Sequence, residues 1–268
     1  MRPSRLITLA AALLAGAAAW GGAPQRVVSL NVCTDQLAFL LAAPGQLISV
    51  SPLAHDPRTS ALAAEMADLP RNDGSAEAVV LRRPDLVLAG SWTTRATVQL
   101  LDRLGYRVET FAPVTSLDTA RANMLRMGEL LGREAEARAM VADFDTRRAA
   151  LTAPAGRRPR AVYYMPYGTT AGADSLTGDL LNAAGLDNLA PPSGHLSMEE
   201  LVLSDPDLIL VGRPYAGHAR ATEYASHPAL QATGALREVA DGTSWTCETP
   251  KLLEALATLR AIRDEVTE

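Results

Sequence analysis

The residues best suited to gripping another molecule stand just after apolar runs in this chain, not inside them. In the first half these are Asn31, which follows Arg26–Leu30, Leu53 and His55, which follow Leu47–Val50, and Trp92, which follows Asp85–Ala89. In the second half they are Tyr167 after Arg160–Met165, Arg213 and Tyr215 after Asp207–Val211, and Trp245 after the stretch through Arg237–Ala240. Only 4% of the residues are aromatic, so this concentration at the ends of apolar runs is selective. Trp and Tyr supply broad, rigid contact area with a polar tip. The competing reading is that Trp92 and Trp245 pack loops, since Trp is commonly half-buried. Signs of catalysis are missing. There is no GxSxG elbow, no HExxH and no Walker A loop, and Gly168–Gly172 lacks the GxGxxG spacing.

The two cysteines, Cys33 and Cys247, are read through compartment. Arg2 and Arg5 precede an apolar run, Leu6–Ala19, that ends in Ala17-Ala18-Ala19. This is the pattern of a cleaved secretory signal over residues 1–19. The run is short for a membrane span of about 20 residues. An exported chain with an even pair of cysteines reads first as a disulfide, with two separate buried thiols as the alternative. A formal charge of −5 argues against a nucleic-acid partner, which needs a basic surface.

The elements that must position these residues alternate. Strands are expected at Arg26–Leu30, Leu47–Val50, Asp85–Ala89 and Tyr106–Thr110. Helices are expected from Thr34-Asp35 to Leu41, over Ala61–Met66, after Ser75, and from Thr93 to Leu104. Leu117–Leu131 is helical, Gly132 interrupts, and Glu134–Leu151 continues without Gly or Pro as a rigid connector. Alternation then resumes, with strands at Arg160–Met165 and Asp207–Val211 and a last helix over Lys251–Val266. The fold class is therefore α/β, with mostly parallel sheets. The expected division is a signal peptide over 1–19, one lobe over 20–132, a connecting helix over 133–153 and a second lobe over 154–268.

A repeat relates the halves. Glu77-Ala-Val-Val-Leu-Arg-Arg-Pro84-Asp85-Leu recurs as Glu199-Glu-Leu-Val-Leu-Ser-Asp-Pro206-Asp207-Leu at a constant offset of 122. In each copy an early helical acid leads through Pro-Asp into a buried strand and then Gly. Either acid alone is explained by the helix dipole. Glu200 is an adjacent rival to Glu199, but its distance to the following Pro does not match that of Glu77. Two similar lobes present a cleft at the carboxyl ends of their strands.

These features together resemble a class of periplasmic substrate-binding proteins that serve ABC importers of cobalamin, haem and ferric siderophores. The resemblance rests on the secretory start, the strand Arg26–Leu30, the repeated Glu…Pro-Asp-Leu element, the long mid-chain helix, and Trp245-Thr-Cys-Glu-Thr-Pro250 before a terminal helix. It implies two Rossmann-like lobes joined by one long backbone helix, no enzymatic activity, and a bound metal chelate as cargo with no resident cofactor. It also implies a periplasmic location and docking of Glu77 and Glu199 to arginines on an inner-membrane permease. The chain is expected to act as a monomer. In that setting the aromatic strand ends suit a flat macrocycle. His55, His218, Tyr167 and Tyr215 are candidates to face its metal, and Arg95 and Arg213 would suit an anionic siderophore. Wall composition slightly favours cobalamin or a related corrinoid over haem or a siderophore. An exported α/β enzyme is the runner-up, and a sensory or chaperone-like protein the third reading.

Overall fold

The computed structural model describes residues 22–153, 155–212, 220–239 and 242–267. The expected signal segment lies outside them, as do Arg213, Tyr215 and His218. The first sheet holds β1 (Val27–Ser29), β2 (Leu47–Ser49), β3 (Leu86–Gly90) and β4 (Val108–Phe111). The second holds β5 (Arg160–Tyr163), β6 (Asp187–Asn188), β7 (Leu208–Gly212) and β8 (Leu236–Val239). Their spatial orders, β2-β1-β3-β4 and β6-β5-β7-β8, are the same arrangement twice. Every strand pairing in both is parallel. The central strands β3 and β7 are apolar along their length, as a parallel sheet covered on both faces requires.

The repeat has a structural cause. In the first lobe Ser75 caps α2 (Ala76–Leu81) by accepting the Ala78 amide. In the second, Ser197 caps α7 (Met198–Leu203) by accepting the Glu200 amide. Each helix ends two residues before a non-glycine residue in the left-handed region, Arg83 at φ 46° and Asp205 at φ 47°. The Asp of each Pro-Asp then reaches to the first strand of its own sheet. Asp85 accepts the Arg26 amide at 2.9 Å, and Asp207 accepts the Arg160 amide at 2.7 Å. The same two arginines donate back, Arg26 to the carbonyls of Arg82 and Arg83 and Arg160 to that of Asp205. Acid and arginine thus lock a helix end to a strand end, and the chain does this twice.

Between the sheets, α4 (Leu117–Leu131) and α5 (Glu134–Leu151) meet at the Gly132 turn. The 18 residues of α5 span about 27 Å. Phe144 and Val141 of α5 and Met124 and Met127 of α4 share one continuous core with Leu37 and Leu41 of α1 (Val32–Leu41). The same core contains Leu180 and Leu181 of α6 (Leu176–Ala183) and, beyond the short α8 (Pro228–Ala232), Leu252, Leu256 and Leu259 of α9 (Leu252–Glu265). Apolar packing therefore runs unbroken from lobe to lobe beneath the sheets.

Two local expectations are corrected. The helix over Ala61–Met66 is a run of turns. Helix α1 is capped by Asn31, whose side chain accepts the Cys33 amide at 3.0 Å, and not by Thr34-Asp35. Thr34 and Asp35 lie inside the helix, fully buried. Strand β6 carries two polar residues and has no apolar signature to announce it.

Candidate functional site

A cavity opens at the carboxyl ends of the strands in each lobe. In the first lobe it measures about 310 Å3. Asn31 from the α1 cap, Gly90 and Trp92 after β3, Phe111 at the end of β4, Cys33, and Glu248 form its walls. Gly90 is required here, because a Cβ on it would come within 2.6 Å of the Asn31 side chain. Asn31 is thus pressed onto the strand end while its oxygen caps α1. Trp92 is 83% exposed, which leaves its indole face free.

The second-lobe cavity is also about 310 Å3. Tyr164 and Tyr167 follow β5, Tyr224 comes from the short 3-10 helix over residues 220–226, and His195, Ser197 and Met198 lead into α7. Tyr167 is 78% exposed and sits at φ 60°, a left-handed conformation that costs a bulky residue about 1–2 kcal/mol. The next residue can only be glycine. Gly168 lies at φ 74°, and a Cβ there would come within 2.7 Å of the Leu196 carbonyl. In this conformation the Tyr167 ring stays exposed at the cavity wall. Tyr164 and Tyr224 meet edge to face, with centroids 5.7 Å apart. Burial, and secondarily the Glu199 carboxylate, pushes the Tyr164 phenol up.

Cys33 and Cys247 are joined in a disulfide whose Cα atoms are 4.9 Å apart. It fixes the start of α1 to the segment that leads from the second sheet into α9. Gln36 donates to the Cys247 sulfur from within α1 at 3.3 Å. Next along the chain, Glu248 is 2% exposed, and burial raises its carboxyl while a hydrogen bond with Asn123 opposes that rise.

Not every expected contact residue reaches a cavity. Asn31, Trp92 and Tyr167 do. Trp245 does not. It is 6% exposed, stacks on Tyr163 at 5.5 Å between centroids, and belongs to the shared core. The chain turns inward there to reach the disulfide, which brings the indole into that core. Leu53 and His55 share a 3-10 turn (Pro52–His55) outside both cavity walls, and the His55 Nε2 is buried without a partner. Arg95 begins α3 (Arg95–Arg103) and also lies outside both walls. Tyr164, Tyr224, His195, Met198 and Glu248 were missed. Tyr164 had a signal, as it ends the apolar run of β5. His195 and Tyr224 are brought in by irregular segments that carry no periodicity.

Glu77 and Glu199 are both exposed in the first turns of their helices. Neither carboxylate has a hydrogen bond or ion pair among the described residues. Glu200 differs: its carboxylate takes the Ser197 amide and hydroxyl in a capping box, which holds its pKa down. No group of three or more His, Cys, Asp or Glu able to hold a metal occurs among the described residues. No described helix is long and apolar enough to cross a membrane.

Comparison with known proteins places this architecture. The sequence pattern of the periplasmic binding protein family matches residues 27–239. A cobalamin-binding protein of Halobacterium salinarum is 31% identical over 199 residues, covering 70% of this chain and 54% of that protein. The chain thus spans about half the length of the curated relatives it matches. A periplasmic haem-binding protein from Pseudomonas aeruginosa superimposes with a TM-score of 0.71 at 25% identity, over 90% of this chain and 92% of that one. The periplasmic vitamin B12 binding protein BtuF of Vibrio cholerae does so with 0.68 at 18% identity, over 91% and 98%. These are binding proteins, not enzymes. With two matching parallel sheets, a cavity at the strand ends of each and the family pattern across most of its length, the chain belongs to the periplasmic binding protein family.

Proposed function

We propose that this protein captures a metal chelate, cobalamin or a related corrinoid first, in the cleft between its lobes, and delivers it in the periplasm to an ABC import permease. The observation that carries this is the pair Trp92 and Tyr167. They are the two most exposed aromatic residues among those described, one at a strand end of each lobe, and each walls a cavity. Exposed aromatic faces cost solvation unless a partner covers them. Exposed planar faces of this kind, one from each lobe, suit a broad, flat ring system better than a small polar solute. The cobalamin-binding relative supports the corrinoid. Glu77 and Glu199, one per lobe and unpaired among the described residues, are suited to charge-assisted bonds with permease arginines.

Haem is the second reading, favoured by one observation. The second-lobe cavity gathers Tyr167, His195 and Met198, all residue types that ligate haem iron. The experiment that separates the two is the absorption spectrum and intact mass of protein purified from its native host. Corrinoid bands with the matching added mass support the first reading. A Soret band replaces it with the second, and loss of bound chelate in every preparation, with no uptake on adding either compound, defeats both.

A further inference from the structure

Among the described residues, four large apolar side chains stand far out of the surface: Trp92, Tyr167, Leu81 and Leu203. The two aromatics belong to the cleft. The two leucines do not, and both are 83% exposed. A lone exposed leucine is ordinary. These two occupy the same repeat position, each the last residue of its helix and four residues after Glu77 or Glu199. Among the described residues they are the only strongly exposed apolar pair related by the offset of 122. Residues four apart share a helix face, so each helix sets a free carboxylate and a bare isobutyl group on one face, about 6 Å apart along the axis.

Their presentation is built. The left-handed residue two positions on, and the Arg26 or Arg160 side chain bonded to the carbonyls there, fix each helix end against its sheet. A chain that repeats this lock and leaves the same residue bare twice is matched to a surface that is itself repeated. The unpaired carboxylates state the charge of that surface.

We infer that Leu81 and Leu203 are apolar anchors for a two-fold symmetric pair of membrane subunits, each offering an apolar socket beside an arginine. This rests on the docking role given to Glu77 and Glu199 above, and adds to it the contact that excludes water around each ion pair. The carboxylates steer and orient, and the leucines slow dissociation.

The test is photo-crosslinking in native cells, with p-benzoylphenylalanine introduced at Leu81, at Leu203 and, as a control, at exposed Ala139 on α5. The expected result is that Leu81 and Leu203 both crosslink to the same integral-membrane polypeptide while Ala139 does not. In the otherwise native chain, L81S/L203S should weaken co-sedimentation with membranes at least tenfold while chelate binding in solution stays as before. Crosslinks to different polypeptides, to a second copy of this chain, or to none overturn the inference. The charge-reversed double variant E77R/E199R keeps the two ideas apart. If it abolishes co-sedimentation and L81S/L203S does not, the leucine anchors fall and the docking glutamates stand. If crosslinking survives charge reversal, the glutamates fall and the anchors stand.

Discussion

Asp35 shows what a single residue can hide from sequence. It sits in the first turn of α1, where an acid is normally a favourable surface charge. Here it is fully buried, and burial pushes its carboxyl up to about 6 although Ser29 and Ser51 donate to it and Ser51 adds its amide. A raised folded pKa means the folded state holds the proton more tightly than the unfolded chain does. Stability from this group is therefore full below about pH 4 and is lost as pH rises towards 6. The variant D35N should gain on the parent across that window, by on the order of 3 kcal/mol at neutral pH, and run parallel to it above. Urea unfolding at pH 4, 5, 6 and 7 measures the difference, and a constant gap would contradict the assignment. Tyr167 makes the opposite trade. Replacing it with Gly removes left-handed strain, so Y167G should raise the melting temperature by about 2–4 °C. It should also weaken chelate binding about tenfold. A gain or loss in both would show that the strain does not serve the cleft.

At the scale of elements, α7 carries two adjacent acids in different surroundings. Glu200 closes the capping box, so E200A should cost about 1 kcal/mol of stability and leave membrane association intact. Glu199 makes no such bond among the described residues, so E199A should cost only the helix-dipole contribution of an exposed first-turn acid, about 0.3 kcal/mol, and reduce association with membranes. The reverse pattern, read by calorimetry and co-sedimentation, would reassign the docking acid. Much of the element order was legible because parallel strands buried on both faces read as apolar runs, and Gly or Pro marks their ends. The Pro-Asp repeat was legible for a deeper reason, since the same acid-to-strand lock recurs in both lobes. The Ala61–Met66 helix was misread because its apolar residues are fixed by long-range packing of turns, with Leu62 and Met66 reaching the core. Part of the second-lobe cavity wall was illegible because His195 and Tyr224 arrive on irregular segments, and the burial of Trp245 was illegible because a strand-end position does not reveal which way the chain turns next.

At the scale of the whole molecule, three features resist opening of the lobes. They are the continuous core through α4, α5 and α9, the 18-residue α5, and the disulfide between residues 214 apart. A bridge closing so long a loop strongly restricts the unfolded chain. The double variant C33S/C247S should lose about 2–5 kcal/mol in chemical unfolding, with secondary structure retained at 25 °C. A loss below 1 kcal/mol would show that the core alone sets the stability. With the lobes held this way, recognition depends on what lines the gap.

Titration of tryptophan fluorescence with cyanocobalamin, haem and ferrichrome in turn puts that dependence to the most direct test. The purified chain is predicted to bind one of them saturably at one molecule per chain, with affinity falling at least a hundredfold in W92A/Y167A. Equal affinity in the double variant, or no saturable response to any of the three, would contradict capture in the cleft.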